Sequence, residues 1–412
     1  MEYERFAAVR NISSLDITND GKWLLYTINT SGQLNLWKQR IIIEDKDDFI
    51  PPAPVQLTDI MEGAVRSVNV SPDNKTAVVS IDTLGNEMMQ IYRVPIDEGW
   101  HYPLIRDPSH RFIPGIKPFS KDGKYLAYSS DIKNPYFLSV FIYDFWRGES
   151  KCVMSGEHTY MPVLFSEDGR FLVVSQINLN IDNDLFIVDI ESGENRRLTP
   201  HREDFAIFLP VAFVNSETLL LITNYNSEFA GLYTMNLNTC QLTPLLKLEH
   251  DIEHACYVKK RETVFLTVNE GGYSRLFSYD MRRGKLLTHR IVGDVVCYQM
   301  AVSENGDVVG LLLASSVSPT SIYVFNPEKS IIRRMTQTYL GGIPEEKMIR
   351  PLRVSYKTHD GLKIEGWLYI PEVVPAGGAP CVLSIHGGPE AQERPNYAYN
   401  GFYQYLLLSL IH

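Results

Sequence analysis

A polar turn followed by an apolar, β-rich run recurs along the first 340 residues of this 412-residue chain. Ser120-Lys121-Asp122-Gly123-Lys124, which precedes Tyr125-Leu126-Ala127-Tyr128, is a clear copy. One residue from each turn marks the repeat: Asp20, Asp73, Asp122, Asp168, Asn215, Arg261 and Asn305. Successive markers lie 44 to 53 residues apart. Because a period of about 40 to 50 residues with several strands per unit is typical of propeller blades, the sequence predicts seven blades.

The residues between these turns also favour an all-β structure. Helical periodicity is nearly absent, and the turns are polar and rich in glycine. The Asp-Gly pairs suit hairpin turns, in which glycine adopts a positive φ. We therefore predict a mainly β fold, with a seven-bladed β-propeller over residues 1–340. The repeated aspartates are interpreted as turn residues, and a binding role for them is the alternative.

Composition and charge narrow the classes of partner. The net charge of −10 and the isoelectric point near 5.5 argue against nucleic acid or an anionic membrane as the main partner. No run approaches the roughly 18 apolar residues of a membrane span, and residues 1–6 lack the apolar core of a signal peptide. The five cysteines are scattered singly, which predicts neither a disulfide framework nor a metal site. We therefore expect a cytoplasmic protein.

A different pattern begins near Gly341-Gly342. Two β-rich segments, 352–356 and 362–370, flank the residues His359-Asp360-Gly361, which are a hairpin turn signal. A loop rich in proline and glycine then covers residues 371–380. This segment therefore predicts a β-hairpin followed by a loop.

The residues after this loop suggest the opening of a second domain. The apolar run 381–385 predicts a buried strand, which leads into the glycine-rich turn His386-Gly387-Gly388-Pro389. Residues 397–411 are rich in aromatic residues and leucine and predict the start of a helix. A hairpin, a strand, a glycine loop and a helix open an α/β-hydrolase domain in this order. We therefore assign residues 341–412 to the first strands and helix of an incomplete α/β-hydrolase domain.

Two stretches, 358–369 and 386–395, resemble the prolyl oligopeptidase family of serine peptidases, in which a propeller precedes a hydrolase domain. The nearest branch is the acylaminoacyl-peptidase/dipeptidyl-aminopeptidase-like one. The resemblance implies a peptidase that cleaves short or N-blocked peptides through an acyl-enzyme intermediate. It also implies that the propeller gates access, its central channel or a side opening admitting short peptides and excluding folded proteins. No cofactor is expected.

The resemblance assigns roles to the glycine-rich turn. The backbone N–H of Gly388 would donate to the oxyanion, and one such donor contributes about 2.7–4 kcal/mol. Glycine lets the backbone approach the substrate without a Cβ in the way. His386 and Gly387 would shape the loop, and His386 is not assigned as the catalytic base. Glu393 and Arg394 are candidates for contact with substrate termini, and a loop-stabilising ion pair is the alternative.

The catalytic triad itself is not found. In an α/β-hydrolase the nucleophile, acid and histidine follow the oxyanion loop in that order, so all three are expected beyond residue 412. No Gly-x-Ser-x-Gly occurs in the chain; the segments at 148–150 and 272–274 lack the closing glycine. His250 and His254 lie four residues apart but do not match His-Glu-x-x-His in a helix, so no metal site is predicted.

Three hypotheses follow. The chain is part of a serine peptidase whose remaining hydrolase segment lies elsewhere, a natural non-catalytic propeller that binds a partner, or the inactive remnant of a disrupted gene. Under each of them the 412 residues alone are predicted to have no peptidase activity. The expected partners are a peptide substrate and either the remaining hydrolase segment or a second copy of the chain. Residues 341–412 would leave open sheet edges, so we expect them to be mobile, prone to aggregation, or docked on the propeller or a second copy.

Overall fold

The computed structural model describes residues 2–46, 48–200, 204–374, 376–388 and 390–409. Within these residues there are seven four-stranded antiparallel sheets, each formed by four consecutive strands. This arrangement confirms the predicted seven-bladed propeller. Among the helices of the described residues, none is both long and apolar enough to cross a membrane.

The strands of the propeller follow one another blade by blade. Blades 1 and 2 comprise β1 (Ile12–Ile17), β2 (Trp23–Ile28), β3 (Asn35–Arg40), β4 (Val55–Gln56), β5 (Gly63–Val70), β6 (Thr76–Thr83), β7 (Gln90–Pro95) and β8 (Tyr102–Ile105). Blades 3 and 4 comprise β9 (Phe112–Phe119), β10 (Tyr125–Ser130), β11 (Ser139–Asp144), β12 (Glu149–Met154), β13 (Thr159–Phe165), β14 (Phe171–Leu179), β15 (Asp182–Asp189) and β16 (Asn195–Arg197). Blades 5 and 6 comprise β17 (Phe208–Asn215), β18 (Thr218–Thr223), β19 (Gly231–Asn236), β20 (Leu242–Leu246), β21 (Ile252–Val258), β22 (Thr263–Glu270), β23 (Tyr273–Asp280) and β24 (Lys285–His289). Blade 7 comprises β25 (Val296–Val302), β26 (Val309–Ser315), β27 (Ser318–Asn326) and β28 (Ile331–Arg334).

The first strand of each blade lies nearest the propeller axis. First strands of neighbouring blades contact one another, for example β1 with β5 and with β25. The second strands carry the most buried residues, and every residue of β26 is buried. The hydrophobic core is divided accordingly, with apolar clusters lying between successive blades. Each blade therefore buries its faces against its neighbours.

The repeated turns are held by hydrogen bonds within five residues of sequence. In blade 3 the Ser120 hydroxyl donates to Asp122 Oδ1 at 2.6 Å, and the Lys124 N–H donates to the same oxygen at 3.0 Å. Gly123 has a φ of +72°. Equivalent Ser or Thr to Asp hydrogen bonds occur at Thr18, Ser71 and Ser166. The repeated aspartates are therefore turn residues, as predicted.

Among the strands of the described residues, none pairs across the seam between blade 7 and blade 1, and side-chain hydrogen bonds join the two blades there. The Gln299 side-chain amide accepts from the Leu15 N–H at 3.0 Å and donates to the Leu15 carbonyl at 2.8 Å. The Thr320 hydroxyl likewise accepts from the Ile12 N–H and donates to the Ile12 carbonyl, both at 2.9 Å. Gln299 and Thr320 thus pair with the backbone of β1 much as a neighbouring strand would.

Replacing Gln299 with leucine is expected to lower the free energy of unfolding by about 1–3 kcal/mol, because the Leu15 N–H and carbonyl lose these partners at a fully buried position. The measurement is urea denaturation followed by tryptophan fluorescence. Gln241→Leu, at an exposed glutamine, is the matched control and is expected to change stability by less than about 0.5 kcal/mol. Equal midpoints for the two variants would contradict the proposed role of Gln299.

Side chains from blades that are not adjacent bridge the central channel at one end. Lys117 of blade 3 donates from Nζ to the Val211 carbonyl of blade 5 at 2.6 Å, passing across the inner edge of blade 4. Glu167, in the turn after β13 of blade 4, pairs with Lys259 of blade 6 at 2.5 Å. It also pairs with Lys121 of the adjacent blade 3 at 3.4 Å. The hydrogen bond from Lys259 lowers the pKa of Glu167. These contacts narrow the channel at the face where the first strands end.

The residues after the propeller begin with the predicted hairpin. The strands β29 (Leu352–Lys357) and β30 (Lys363–Leu368) pair antiparallel, with Leu352 opposite Leu368. Gly361 has a φ of +88° in the connecting turn, where the Thr358 hydroxyl donates to Asp360. The hairpin prediction is therefore confirmed.

The predicted buried strand at 381–385 is wrong in this structure. These residues form no strand, and the side chains of Val382, Leu383 and Ile385 are 67%, 80% and 79% exposed. A strand of an α/β sheet needs partners on both edges and cover on both faces. Among the described residues no strand pairs with this run, so its apolar side chains have nothing to pack against.

Two helices pack against each other beside the seventh blade. The helix α1 (Tyr3–Ala7) precedes the propeller, and the helix α2 (Phe402–Ser409) follows a 3-10 turn at Ala398–Gly401. Phe6 of α1 is fully buried and lies 5.8 Å from the ring of Tyr405. The predicted helix is therefore present, and it begins at Phe402, five residues later than the predicted start at residue 397. The predicted end of this helix at residue 411 lies outside the described residues. Pro389, which ends the predicted glycine-rich turn, also lies outside them.

Candidate functional site

The glycine-rich turn has a backbone conformation that requires glycine. Gly388 has a φ of +144°, and a Cβ at this position would lie 2.8 Å from the Glu390 nitrogen. His386 donates from Nδ1 to the Gly387 carbonyl at 3.0 Å. His386, Gly387 and Gly388 are all exposed. The backbone of the turn is thus accessible at the surface of this chain.

Arg394 anchors the segment after this turn to the sixth blade. Its Nη1 donates to Glu253 Oε1 at 2.5 Å, its Nη2 to the Ser274 hydroxyl at 3.0 Å, and its Nε to the Gly272 carbonyl at 2.9 Å. The side chains of Arg394 and Glu253 are only 14% and 19% exposed. A guanidinium with three separate acceptors is fixed in both position and orientation.

Further contacts surround Arg394 on both sides. Gln392 accepts from the Asn269 side-chain amide at 2.8 Å, and the Asn396 amide donates to the Tyr298 hydroxyl at 2.5 Å. Trp367 of β30 donates from Nε1 to the Glu393 carbonyl at 3.0 Å. Residues 392–396 therefore touch the propeller and the hairpin together.

The hairpin contacts the propeller at a tight turn formed by two glycines, Gly271 and Gly272. The Trp367 ring lies 5.1 Å from the ring of Tyr273 in an edge-on arrangement. A Cβ at Gly272 would lie 2.7 Å from Trp367, and one at Gly271 would lie 2.5 Å from the Arg353 guanidinium. The two glycines between β22 and β23 thus leave the space into which these two side chains pack.

Burial sets the protonation of the groups at this contact. Burial raises the pKa of Glu253, although the neighbouring charge of Arg394 opposes the shift. Burial lowers the pKa of His254, whose Nδ1 lies 2.9 Å from the Thr267 hydroxyl. The contact therefore contains one ion pair, Glu253 with Arg394, that is largely shielded from water. Beside it lies His254, whose neutral form is favoured by burial.

The predicted site residues lie in two groups. His386, Gly387 and Gly388 form the exposed turn, and Arg394 lies in the contact with the propeller. Glu393 accepts from Trp367 through its carbonyl, and its Oε1 lies 3.4 Å from the Tyr403 hydroxyl. Contact of Glu393 and Arg394 with a substrate stays a prediction. The geometry of Arg394 matches the alternative, a loop-stabilising ion pair.

Sequence reasoning did not anticipate the propeller side of this contact. Glu253 lies between His250 and His254, for which no metal site is predicted, and Ser274 ends the segment 272–274, which lacks the closing glycine of a nucleophile motif. The structure brings both to Arg394. Within the described ranges, no group of three or more His, Cys, Asp and Glu side chains could hold a metal ion.

Solved structures resemble this chain in fold. No family model matches this chain, and no curated protein matches it in sequence. A solved structure from a study of two prolyl endopeptidases aligns with a TM-score of 0.71 at 13% identity, covering 90% of this chain and 56% of that chain. The chain has the seven-bladed propeller fold of prolyl oligopeptidases.

Two structures of prolyl oligopeptidase B from Galerina marginata agree with this result. The enzyme bound to a 35mer hydrolysis and macrocyclization substrate aligns with a TM-score of 0.68 at 16% identity, covering 88% of this chain and 55% of that one. The enzyme bound to a 25mer macrocyclization substrate aligns with a TM-score of 0.67 at 16% identity, covering 88% and 56%. The chain therefore spans 55–56% of the length of these prolyl oligopeptidases.

Proposed function

We propose that this chain is the propeller-containing part of a cytoplasmic serine-type peptidase of the prolyl oligopeptidase family, in the acylaminoacyl-peptidase/dipeptidyl-aminopeptidase-like branch. Its substrates are short or N-blocked peptides. The observation that carries the proposal is the glycine turn: Gly388 adopts a conformation that requires glycine and is joined to a propeller shared with prolyl oligopeptidases. The nucleophile, acid and base come from a further hydrolase segment.

The proposed chemistry gives Gly388 a definite role. Attack of a serine hydroxyl on the scissile carbonyl places negative charge on the carbonyl oxygen, and the Gly388 N–H stabilises that charge. His386 and Gly387 shape the turn, and the hydrogen bond between them supports this assignment. The proton transfers belong to the base and acid of the further segment. This chain contributes oxyanion stabilisation and substrate access.

The propeller limits access in this proposal. Lys117 and the Glu167–Lys259 pair narrow the channel at one face. The contacts with residues 392–396 lie at the opposite face, since Glu253 and Tyr298 stand near the beginnings of β21 and β25. We therefore propose that short peptides enter from the face that carries the glycine turn.

The test combines intact mass with active-site labelling. The natural protein, purified from its source cells, is expected to have a mass well above 47.0 kDa and to react with a fluorophosphonate at a serine outside residues 1–412. The 412-residue chain alone is expected to remain unlabelled. In the labelled protein, Gly388→Ala keeps the N–H, but alanine cannot adopt the φ of +144° without strain, so the donor is displaced. We expect kcat to fall by about 10²–10³-fold, the range for losing one oxyanion donor. A natural mass of 47.0 kDa without labelling would contradict the proposal and favour the non-catalytic binding module.

A further inference from the structure

Residues 392–396 bind the sixth blade through hydrogen bonds to several of its residues. Arg394 alone joins two strands of the blade, because Glu253 lies in β21 and Ser274 in β23. It also binds the carbonyl of Gly272 in the turn between β22 and β23. Three acceptors of the blade thus bind three nitrogens of one guanidinium, whose donors are held in a rigid planar fork.

We propose that Arg394 is a positioning residue, which fixes the segment after the glycine turn to blade 6 and thereby sets where the backbone of Gly387 and Gly388 lies. The catalytic meaning of this position rests on the proposed function. The anchoring of the turn does not, because it is a property of the 412-residue chain.

The contrast between the two sides of the glycine turn supports this proposal. Residues 381–388 are exposed and form no regular structure; Ser384 accepts from the Tyr403 hydroxyl at 2.7 Å. On the other side, Arg394 is largely buried and bonded through three nitrogens. Five residues lie between Gly388 and Arg394, so the anchored residue limits how far the turn can move.

The charge of the pair makes this contact specific. Glu253 and Arg394 are shielded from water. If Arg394 is replaced by a neutral residue, the Glu253 carboxylate stays buried without a positive charge to offset its lost hydration. A lysine at position 394 would retain the charge but reach fewer of the three acceptors. The graded series arginine, lysine, methionine therefore separates the contribution of geometry from that of charge.

The experiment follows the segment itself in the full chain. Hydrogen exchange reports on the Asn396 N–H, which donates to the Arg394 carbonyl at 2.8 Å. A bimane attached to the exposed thiol of Cys381 reports the mobility of the turn by fluorescence anisotropy. Arg394→Met and Glu253→Gln are expected to accelerate exchange over 392–396 by roughly 10- to 100-fold, the range for a lost hydrogen bond to a charged group. Both are also expected to lower the anisotropy, and Arg394→Lys to restore part of each signal.

Matched controls and contrary outcomes are available. Arg290→Met and Glu249→Gln change exposed residues near blade 6 and are expected to leave both signals unchanged. Wild-type anisotropy in Arg394→Met and Glu253→Gln, with unchanged circular dichroism, would overturn the proposal. If Arg394→Met does not fold, Glu253→Gln and Arg394→Lys decide. Neither readout needs a nucleophile, so failure of the proposed peptidase function would leave these results intact.

Discussion

Replacing Phe208 with alanine is expected to lower the free energy of unfolding by about 3–5 kcal/mol, the usual range for a buried phenylalanine. Phe208 is fully buried in the apolar cluster between blades 4 and 5, and its removal leaves a cavity among well-packed neighbours. Its backbone is also held by Asn183, whose amide accepts from the Phe208 N–H at 2.7 Å and donates to its carbonyl at 2.9 Å. The cluster therefore has little freedom to collapse into the space.

The control for this variant lies three residues earlier in the chain. Phe205 is 60% exposed, so Phe205→Ala removes the same side chain without creating an internal cavity. Urea denaturation of the two variants separates the effect of losing buried contacts from the effect of losing a phenylalanine side chain at the surface. If Phe208→Ala is no more destabilising than Phe205→Ala, the cluster either repacks around the missing ring or contributes little to the free energy of unfolding.

Replacing Arg66 with leucine is expected to cost about 3 kcal/mol of stability, near the lower end of the range for breaking a buried ion pair. Asp82 is fully buried and accepts from Arg66 Nε at 3.1 Å and from Nη2 at 2.8 Å. Leucine would leave the Asp82 carboxylate without these two donors. The lower end of the range is expected because the Arg66 side chain is 41% exposed, so water moderates the loss.

A second substitution tests the cause of this loss. Asp82→Asn in the Arg66→Leu background removes the buried charge and is expected to recover part of the stability. Arg106→Leu, at an exposed arginine of the same blade, is expected to change stability by less than about 0.5 kcal/mol. If the double variant is no more stable than Arg66→Leu, the loss comes from packing of the arginine stem instead of from the unpaired charge.

The propeller could be predicted from the sequence because its turns are stabilised locally. Ser120 and Asp122 satisfy each other's hydrogen bonds within one turn, so the structural unit is visible in five residues. The weaker markers show the same principle in other forms. Asn215 accepts from the Glu217 N–H at 2.9 Å, and Arg261 lies in a 3-10 turn that ends at Glu262 with a φ of +48°. Several local solutions to one bend therefore preserve the period.

The candidate site could be predicted only in part, since its contacts are distant in sequence. Arg394 and Glu253 are separated by 141 residues, and a charged pair such as Glu393-Arg394 fits a solvent-exposed loop equally well. The apolar run 381–385 predicts a buried strand because its residues are apolar. Burial also requires a partner surface, and an apolar pattern carries no information about whether that surface is present.

The seam between blades 7 and 1 bears on circular permutation. Every blade is built from four consecutive strands, and the ring closes through side chains such as Gln299 and Thr320. The order in which the chain visits the blades is therefore not imposed by strand pairing. A chain opened between β4 and β5, with a peptide linker joining blade 7 to blade 1, would retain every backbone ladder of the ring. We expect such a permutant to keep the circular dichroism spectrum of the parent. That result would mean that the propeller itself does not determine between which blades the chain enters and leaves the ring.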